Sequence, residues 1–423
     1  MYNLINIGTH IDPDEKNVGI EIDLSGIGKR PYSMAFFGST GSGKTYEACK
    51  LLCKLADAGQ TVLVLDIHRT MAVEMIPAEL ADAFEARTNR FDAYCNPIPC
   101  HLMEQLQYPK SVVEKKCDTA SFITETISDV HRLGDRQFRL CKAAIKQVIQ
   151  NESFKTFGIK ALAEELFKCG KKDVADSVAD RLESLFEHNA FVDGDLPLEP
   201  GKINVFDLSK YVHRDQIIIA ELLLYYIFRR RYVGKGTPLF ICIDEFQNIG
   251  MKKDGILSTI LAEGRRLGIN TILITQSMKI HFNEAQIKVI MQSAYKFFFR
   301  PSEADAVEFA KILGAYSVSR YLAELNTLKI GEFLLSGPVL GNGYESNCPI
   351  KIERDNGNTA SSRPVGVGND IKSIKVMGVS ADGAACDPGN LPDNTSVPGR
   401  KLKIKFPGTG RKPKPVVASG AAS

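Results

Sequence analysis

Gly38-Ser39-Thr40-Gly41-Ser42-Gly43-Lys44-Thr45 fits the pattern G-x-x-x-x-G-K-[ST] in full, and its flanks decide the fold. The apolar run Met34-Ala35-Phe36-Phe37 ahead of it suits a buried strand. After it, residues 46–59 (YEACKLLCKLADAG) carry a helical pattern. In a strand–glycine loop–helix unit, successive backbone N–H groups curl toward one phosphate. The helix N-terminus adds its dipole. Gly38, Ser39, Thr40, Gly41, Ser42 and Gly43 would form this cradle. Lys44 is expected to reach the β and γ phosphates, and the Thr45 hydroxyl to ligate Mg²⁺.

Short apolar runs recur on both sides of this unit: 33–38, 61–66, 203–208, 239–244, 270–275, 296–300 and 332–336. Helical patterns separate most of them, which predicts an α/β fold with a mostly parallel sheet and helices on both faces. Between Asn96 and Ala190 the alternation stops. Phe138, Cys141, Ile145 and Val148 have helical spacing, as do Val174, Val178, Leu182 and Leu185. An all-helical insertion is expected there. The resulting division is 1–95 and 201–354 for the two parts of one nucleotide-binding domain, 96–200 for the insertion and 355–423 for a tail. That tail is rich in Gly, Pro, Ser and Asn, with ten Lys/Arg against five Asp, and is expected to be disordered. Its segment 399–414 holds seven basic residues and no acid, which suits either contact with nucleic acid or simple solubility.

Pro238-Leu239-Phe240-Ile241-Cys242-Ile243-Asp244-Glu245 is an apolar strand ending in two acids. After a phosphate loop in an alternating pattern, Asp244 suits the acid that holds Mg²⁺ opposite Thr45. Glu245 then suits the base that deprotonates the attacking water. A plain helix N-cap is the alternative use of such a pair. The adjacent Glu argues for hydrolysis of ATP rather than phosphate transfer to a metabolite. There is no N-K-x-D guanine signature and no L-S-G-G-Q run. Farther on, residues 261–277 (LAEGRRLGINTILITQS) predict a helix end, then a strand ending at Thr275-Gln276. Gln276 suits a γ-phosphate sensor, and Arg265 or Arg266 an arginine finger. On spacing alone, a capping Gln and two arginines neutralising a helix C-terminus fit as well.

In that order, GSTGSGKT, ICIDEFQNIG and LAEGRRLGINTILITQS resemble the HerA/FtsK superfamily of hexameric DNA-pumping ATPases, which includes conjugative coupling proteins and viral packaging ATPases. The resemblance covers residues 18–352, weakly within the insertion. It implies a RecA-like P-loop domain using ATP and Mg²⁺. Lys44 and Thr45 match the P-loop Lys and Thr, Asp244 the metal-binding acid, Glu245 the catalytic acid and Gln276 the sensor. Arg265 matches a finger that reaches the neighbouring subunit's ATP site. That implies a homo-oligomeric ring, most often a hexamer, with double-stranded DNA in its channel. Asp66 matches an acid at a strand end, where the family's D-P-H-G is replaced by Asp66-Ile67-His68-Arg69, so the roles of Asp66 and His68 stay open.

The family's N-terminal β-barrel, membrane helices and C-terminal winged helix have no counterpart in the pattern. Protein partners supplying nuclease, membrane or DNA-orienting functions are therefore expected. Composition agrees with a globular body: 44% hydrophobic, 24% charged, net charge +3, with ten cysteines too sparse for a disulfide scaffold. No run approaches the length of a membrane span, and the first residues lack a leader pattern, so a cytoplasmic protein without membrane insertion is expected. Cys95, Cys100, His101 and Cys117 are too loosely spaced for a convincing zinc site. The competing functions are an ATP-driven assembly or effector subunit acting on a protein in a defence, secretion or packaging machine, and a helicase.

Overall fold

The computed structural model describes residues 4–12, 15–27, 29–108, 112–249, 251, 255–341 and 343–353. The basic tail and Lys252–Lys253 lie outside the described residues. Seventeen strands occur among the described residues: β1 Leu4–Asp12, β2 Glu15–Asp23, β3 Met34–Phe37, β4 Val62–Asp66, β5 Thr88–Asp92, β6 Ile98–Pro99, β7 Gln107–Tyr108, β8 Val112–Val113, β9 Phe191–Val192, β10 Ile203–Asp207, β11 Leu239–Ile243, β12 Ile269–Thr275, β13 Tyr295–Phe299, β14 Phe333–Ser336, β15 Val339–Gly341, β16 Tyr344–Ser346 and β17 Ile350–Ile352. The helices are α1 Lys44–Asp57, α2 Ala78–Glu85, α3 Lys116–His131, α4 Asp135–Gln150, α5 Phe154–Phe157, α6 Lys160–Cys169, α7 Lys172–Glu187, α8 His213–Tyr232, α9 Ile256–Leu267, α10 Glu284–Ile290, α11 Glu303–Leu313 and α12 Val318–Thr327.

Nine strands form the central sheet in the order β17-β14-β13-β3-β12-β11-β4-β10-β5. From β13 to β5 every neighbour is parallel, and β14 and β17 close the edge antiparallel. The apolar runs are nearly continuous because the sheet is buried on both faces. Phe37, Leu63, Leu65, Phe206, Ile241, Ile243, Leu273 and Phe298 join one core with α8, α9 and the helices α3–α7. Their strand neighbours Phe36, Val62, Val64, Val205, Phe240, Cys242, Ile272 and Phe299 join the other, with α1. Alternation along each strand thus serves two cores rather than a core and solvent.

All seven runs read as strands in the sequence are strands here. The sheet also contains β5 and β17, and a separate four-stranded antiparallel sheet pairs β1-β2-β15-β16. Thr88-Asn89-Arg90-Phe91-Asp92 escaped notice because an edge strand needs little apolar surface. Residues 96–190 are mainly helical but include the short strands β6, β7 and β8, contrary to the expectation of none. They are two-residue pieces, too short for periodicity to register. The apolar run 217–228 lies in α8, most of whose residues are buried. Among the described residues, no helix is long and apolar enough to cross a membrane.

Candidate active site

Parallel strands deliver their C-terminal ends to one edge of the sheet, the usual place for a ligand in such folds. Here that edge carries Gly38 after β3, Gln276 after β12, Asp244 and Glu245 after β11, and Asp66 at the end of β4. β3 is two strands from β11, with β12 between them, so the phosphate loop, Gln276 and the acids stand in a row.

The loop is tied down on both sides. Ser39 N and Oγ both donate to Arg300 O after β13, at 2.9 and 3.0 Å. Gly331 N, ahead of β14, donates to Ser42 O at 3.0 Å. Gly43 caps α1 with φ +102° and ψ 6°, a backbone that side-chain-bearing residues rarely adopt. A Cβ there would lie 2.8 Å from Gly331 N, so the close approach also requires glycine. The Ser42 Oγ is buried without a hydrogen-bond partner among the described residues, an open donor at the mouth of α1 that suits a phosphate oxygen.

Lys44 is buried, and its Nζ donates to Ser39 O at 2.8 Å. Burial lowers its pKa, while Glu245 and Asp244 hold the charge in place. Burial likewise pushes the Asp244 carboxyl up to about 6, opposed by a hydrogen bond from the Thr70 hydroxyl and raised further by Glu245. Asp244 Oδ1 also accepts the Glu245 N–H at 2.9 Å. Glu245 itself adopts φ 50° and ψ 48°. A non-glycine residue in this region is uncommon and persists where neighbours over-determine it.

Asn248 Nδ2 holds that backbone by donating to Glu245 O at 3.0 Å, and two amides hold the carboxylate. Gln276 Nε2 donates to Glu245 Oε1, and Gln247 Nε2 donates to Glu245 Oε2. Thr40 Oγ1, in the phosphate loop, donates to Gln276 Oε1 at 2.7 Å. Thus Lys44, Asp244, Glu245, Gln276 and the loop Gly38–Thr45 share one site. Arg265 does not: it is exposed in the last turn of α9, just ahead of β12. The seven residues of β12 separate it from Gln276, about 20 Å at the rise of a strand. Arg266 pairs with Glu263 at 2.7 Å and lies over the Tyr232 ring.

Asp66 is a loop holder. Its carboxylate accepts Thr70 N at 3.0 Å and Met71 N at 3.1 Å, closing the turn after β4. His68 Nε2 accepts from Asn248 Nδ2 at 2.7 Å, joining that turn to the one after β11. Sequence reasoning missed Gln247, Thr275, Thr70 and Asn248. The available signal for Gln247 and Asn248 was a polar pair one residue beyond the acids, after Phe246. As for zinc, Cys100 is in the core while Cys95 is exposed, and the described residues contain no group of three metal-ligating side chains.

The family "Helicase HerA, central domain" matches residues 5–227. A second family, "TraM recognition site of TraD and TraG", matches residues 238–328. The DNA double-strand break repair helicase HerA of Sulfurisphaera tokodaii is 21% identical over 391 residues, covering 85% of this chain and 71% of the relative. That of Saccharolobus solfataricus is 22% identical over 402 residues, covering 86% and 71%. Among solved structures, VirB4 of Thermoanaerobacter pseudethanolicus superposes with a TM-score of 0.60 at 15% identity, covering 83% of this chain and 96% of that one. The bacterial conjugative coupling protein TrwBΔN70 gives 0.51 at 14% identity, covering 82% and 92%. These two likenesses concern the fold. Since the first family spans more than half of the chain, the protein belongs to the HerA central-domain family and is a P-loop ATPase of the HerA/FtsK type.

Proposed function

We propose that this chain hydrolyses ATP to move DNA through a ring of copies of itself, six in the arrangement its family suggests. The observation that carries the reading is the division of the catalytic groups. Glu245 is linked through Gln276 to Thr40 in the phosphate loop, whereas Arg265 stands exposed at the opposite end of β12. A finger in that position serves a neighbour, and a neighbour supplying part of each site favours a head-to-tail ring. The relatives named DNA double-strand break repair helicase support DNA as the substrate.

In this reading the backbone of Gly38–Gly43 and the Lys44 ammonium bind the phosphates. Glu245 accepts the proton of the attacking water. Gln276 turns between Glu245 and the γ-phosphate, and Arg265 of the adjoining copy meets the charge of the transition state. Thr45 and Asp244 are hard oxygen donors suited to Mg²⁺; burial raises the Asp244 pKa, and a cation beside it would favour the ionised form. The ion would supply charge neutralisation at the phosphates.

The test is ATPase activity with and without double-stranded DNA, alongside particle mass and the variant Glu245→Gln. Expected are DNA-stimulated turnover, a ring-sized particle, and a variant that binds ATP but does not turn over. A variant keeping more than about a tenth of wild-type turnover removes Glu245 from its role. One observation favours a protein substrate instead: the match of residues 238–328 to a partner-recognition region. Turnover indifferent to DNA but raised by a protein partner would select that reading.

A further inference from the structure

Two glutamine amides share the Glu245 carboxylate. A carboxylate only accepts hydrogen bonds, so both amides must turn their NH₂ groups toward it. Each amide oxygen is then left facing away, and each is met by a threonine hydroxyl. Thr40 Oγ1 donates to Gln276 Oε1 at 2.7 Å. Thr275 Oγ1 donates to Gln247 Oε1 at 2.9 Å. Two hydroxyl–amide–carboxylate chains therefore converge on one side chain.

Their origins differ. Thr40 is exposed in the phosphate loop. Thr275 is fully buried in the last position of β12, paired with Phe37 of β3. The backbone of Glu245 is held independently. Phe246 is buried and stacks on Phe282 with ring centroids 4.9 Å apart. Asn248 Nδ2 donates to Glu245 O at 3.0 Å as well as to His68. With the main chain anchored, the side-chain torsions of Glu245 are what the amides must restrain.

We propose that Gln247 is a positioning residue for hydrolysis. Oriented by Thr275, it holds Oε2 of Glu245 while Gln276 leaves Oε1 for the γ-phosphate, so the freed oxygen faces the attacking water. The inference rests on the reading of Glu245 as the base.

It is tested in the full chain with Gln247→Leu, Thr275→Val and Thr275→Ser, beside Glu245→Gln. The readouts are kcat, KM, binding of a non-hydrolysable ATP analogue and melting temperature. Losing one hydrogen bond to a charged group predicts that Gln247→Leu lowers kcat about 10- to 100-fold. KM, analogue binding and melting should stay as in the wild type, because the groups that hold phosphate are untouched. Thr275→Val should lower kcat, Thr275→Ser should restore it, and Thr275→Val should add nothing to Gln247→Leu. If Gln247→Leu does not fold, the contrast between the two Thr275 variants carries the test. A kcat unchanged or raised in Gln247→Leu while Glu245→Gln is inactive overturns the proposal, as do additive effects or a kcat that falls only in step with melting. Normal turnover by Glu245→Gln would instead remove the base reading itself, and the proposal with it.

Discussion

Replacing Arg265 by Ala separates a finger acting within its own chain from one acting in a neighbour. The β12 strand sets about 20 Å between Arg265 and the Gln276 end of the site, well beyond the reach of an arginine side chain. Arg265→Ala should therefore leave ATP binding and assembly intact. It should nevertheless slow hydrolysis by about 10³–10⁵, the worth of such a finger in other nucleotide hydrolases. The magnitude that decides the matter comes from mixing. In a head-to-tail ring, each site takes Glu245 from one copy and Arg265 from the next. Random equal mixing of Arg265→Ala with Glu245→Gln copies gives intact Glu245 beside intact Arg265 at about one interface in four. Turnover should rise from near zero in either variant to about a quarter of wild type if sites fire independently. The assay is steady-state ATP hydrolysis across mixing ratios, with mixed rings verified by differential tagging and pull-down. Recovery peaking at equal proportions supports the shared site. No recovery in verified mixed rings refutes it, because a finger within its own chain leaves every site short of one group.

Two further outcomes follow from buried charge. Burial raises the Asp244 carboxyl to about 6 against an ordinary 3.8, so the folded chain holds a proton that the unfolded chain has released. The contribution of Asp244 to stability in the metal-free protein is thus fullest below about pH 4 and is lost as pH rises through about 6, so Asp244→Asn should exceed the wild type by about 1–3 kcal/mol at pH 7 but not at pH 4. Denaturant unfolding at both pH values checks it, and a variant no more stable at pH 7 contradicts it. Second, Arg229 on α8 forms a buried ion pair with Glu114, each side chain only 6% exposed. Arg229→Met strands the Glu114 charge and should cost about 3–5 kcal/mol, whereas adding Glu114→Leu should return most of it. Thermal unfolding of the single and double variants measures this, and equal losses in both would contradict it.

The site illustrates why function and stability pull apart here. Lys44 and Asp244 are both desolvated, and each holds its charge partly through the other. Glu245 keeps a left-handed backbone. Such features persist when surrounding packing restrains them. Phe246 within the core and the hydrogen bond from Asn248 to Glu245 O restrain that backbone, while Gln247 and Gln276 restrain the Glu245 carboxylate.

Residues 38–45 announce a phosphate loop in one dimension, because the cradle is made of consecutive backbone N–H groups and needs glycine at fixed spacing. The acidic end of β11 and the polar end of β12 were legible for a similar reason. Apolar strands in a doubly covered sheet stop where the chain meets the ligand edge, and Asp244, Glu245 and Gln276 sit at those stops. What linked them was not legible. Gln247 meets Thr275, Thr40 meets Gln276, and Asn248 meets His68 across long stretches of chain. Such pairings arise only when strand order sets β12 between β3 and β11, and hydrogen-bond partners are chosen by distance in space. The parallel direction of β12 and β3 likewise set Arg265 at the opposite end of β12 from Gln276 and the phosphate loop, although only 11 positions separate it from Gln276. Edge strands such as β5 stayed hidden because half-exposed segments carry little apolar signal. Local backbone chemistry could thus be read from the order of residues, while the partnership of side chains around Glu245 was decided by how the sheet brought them together.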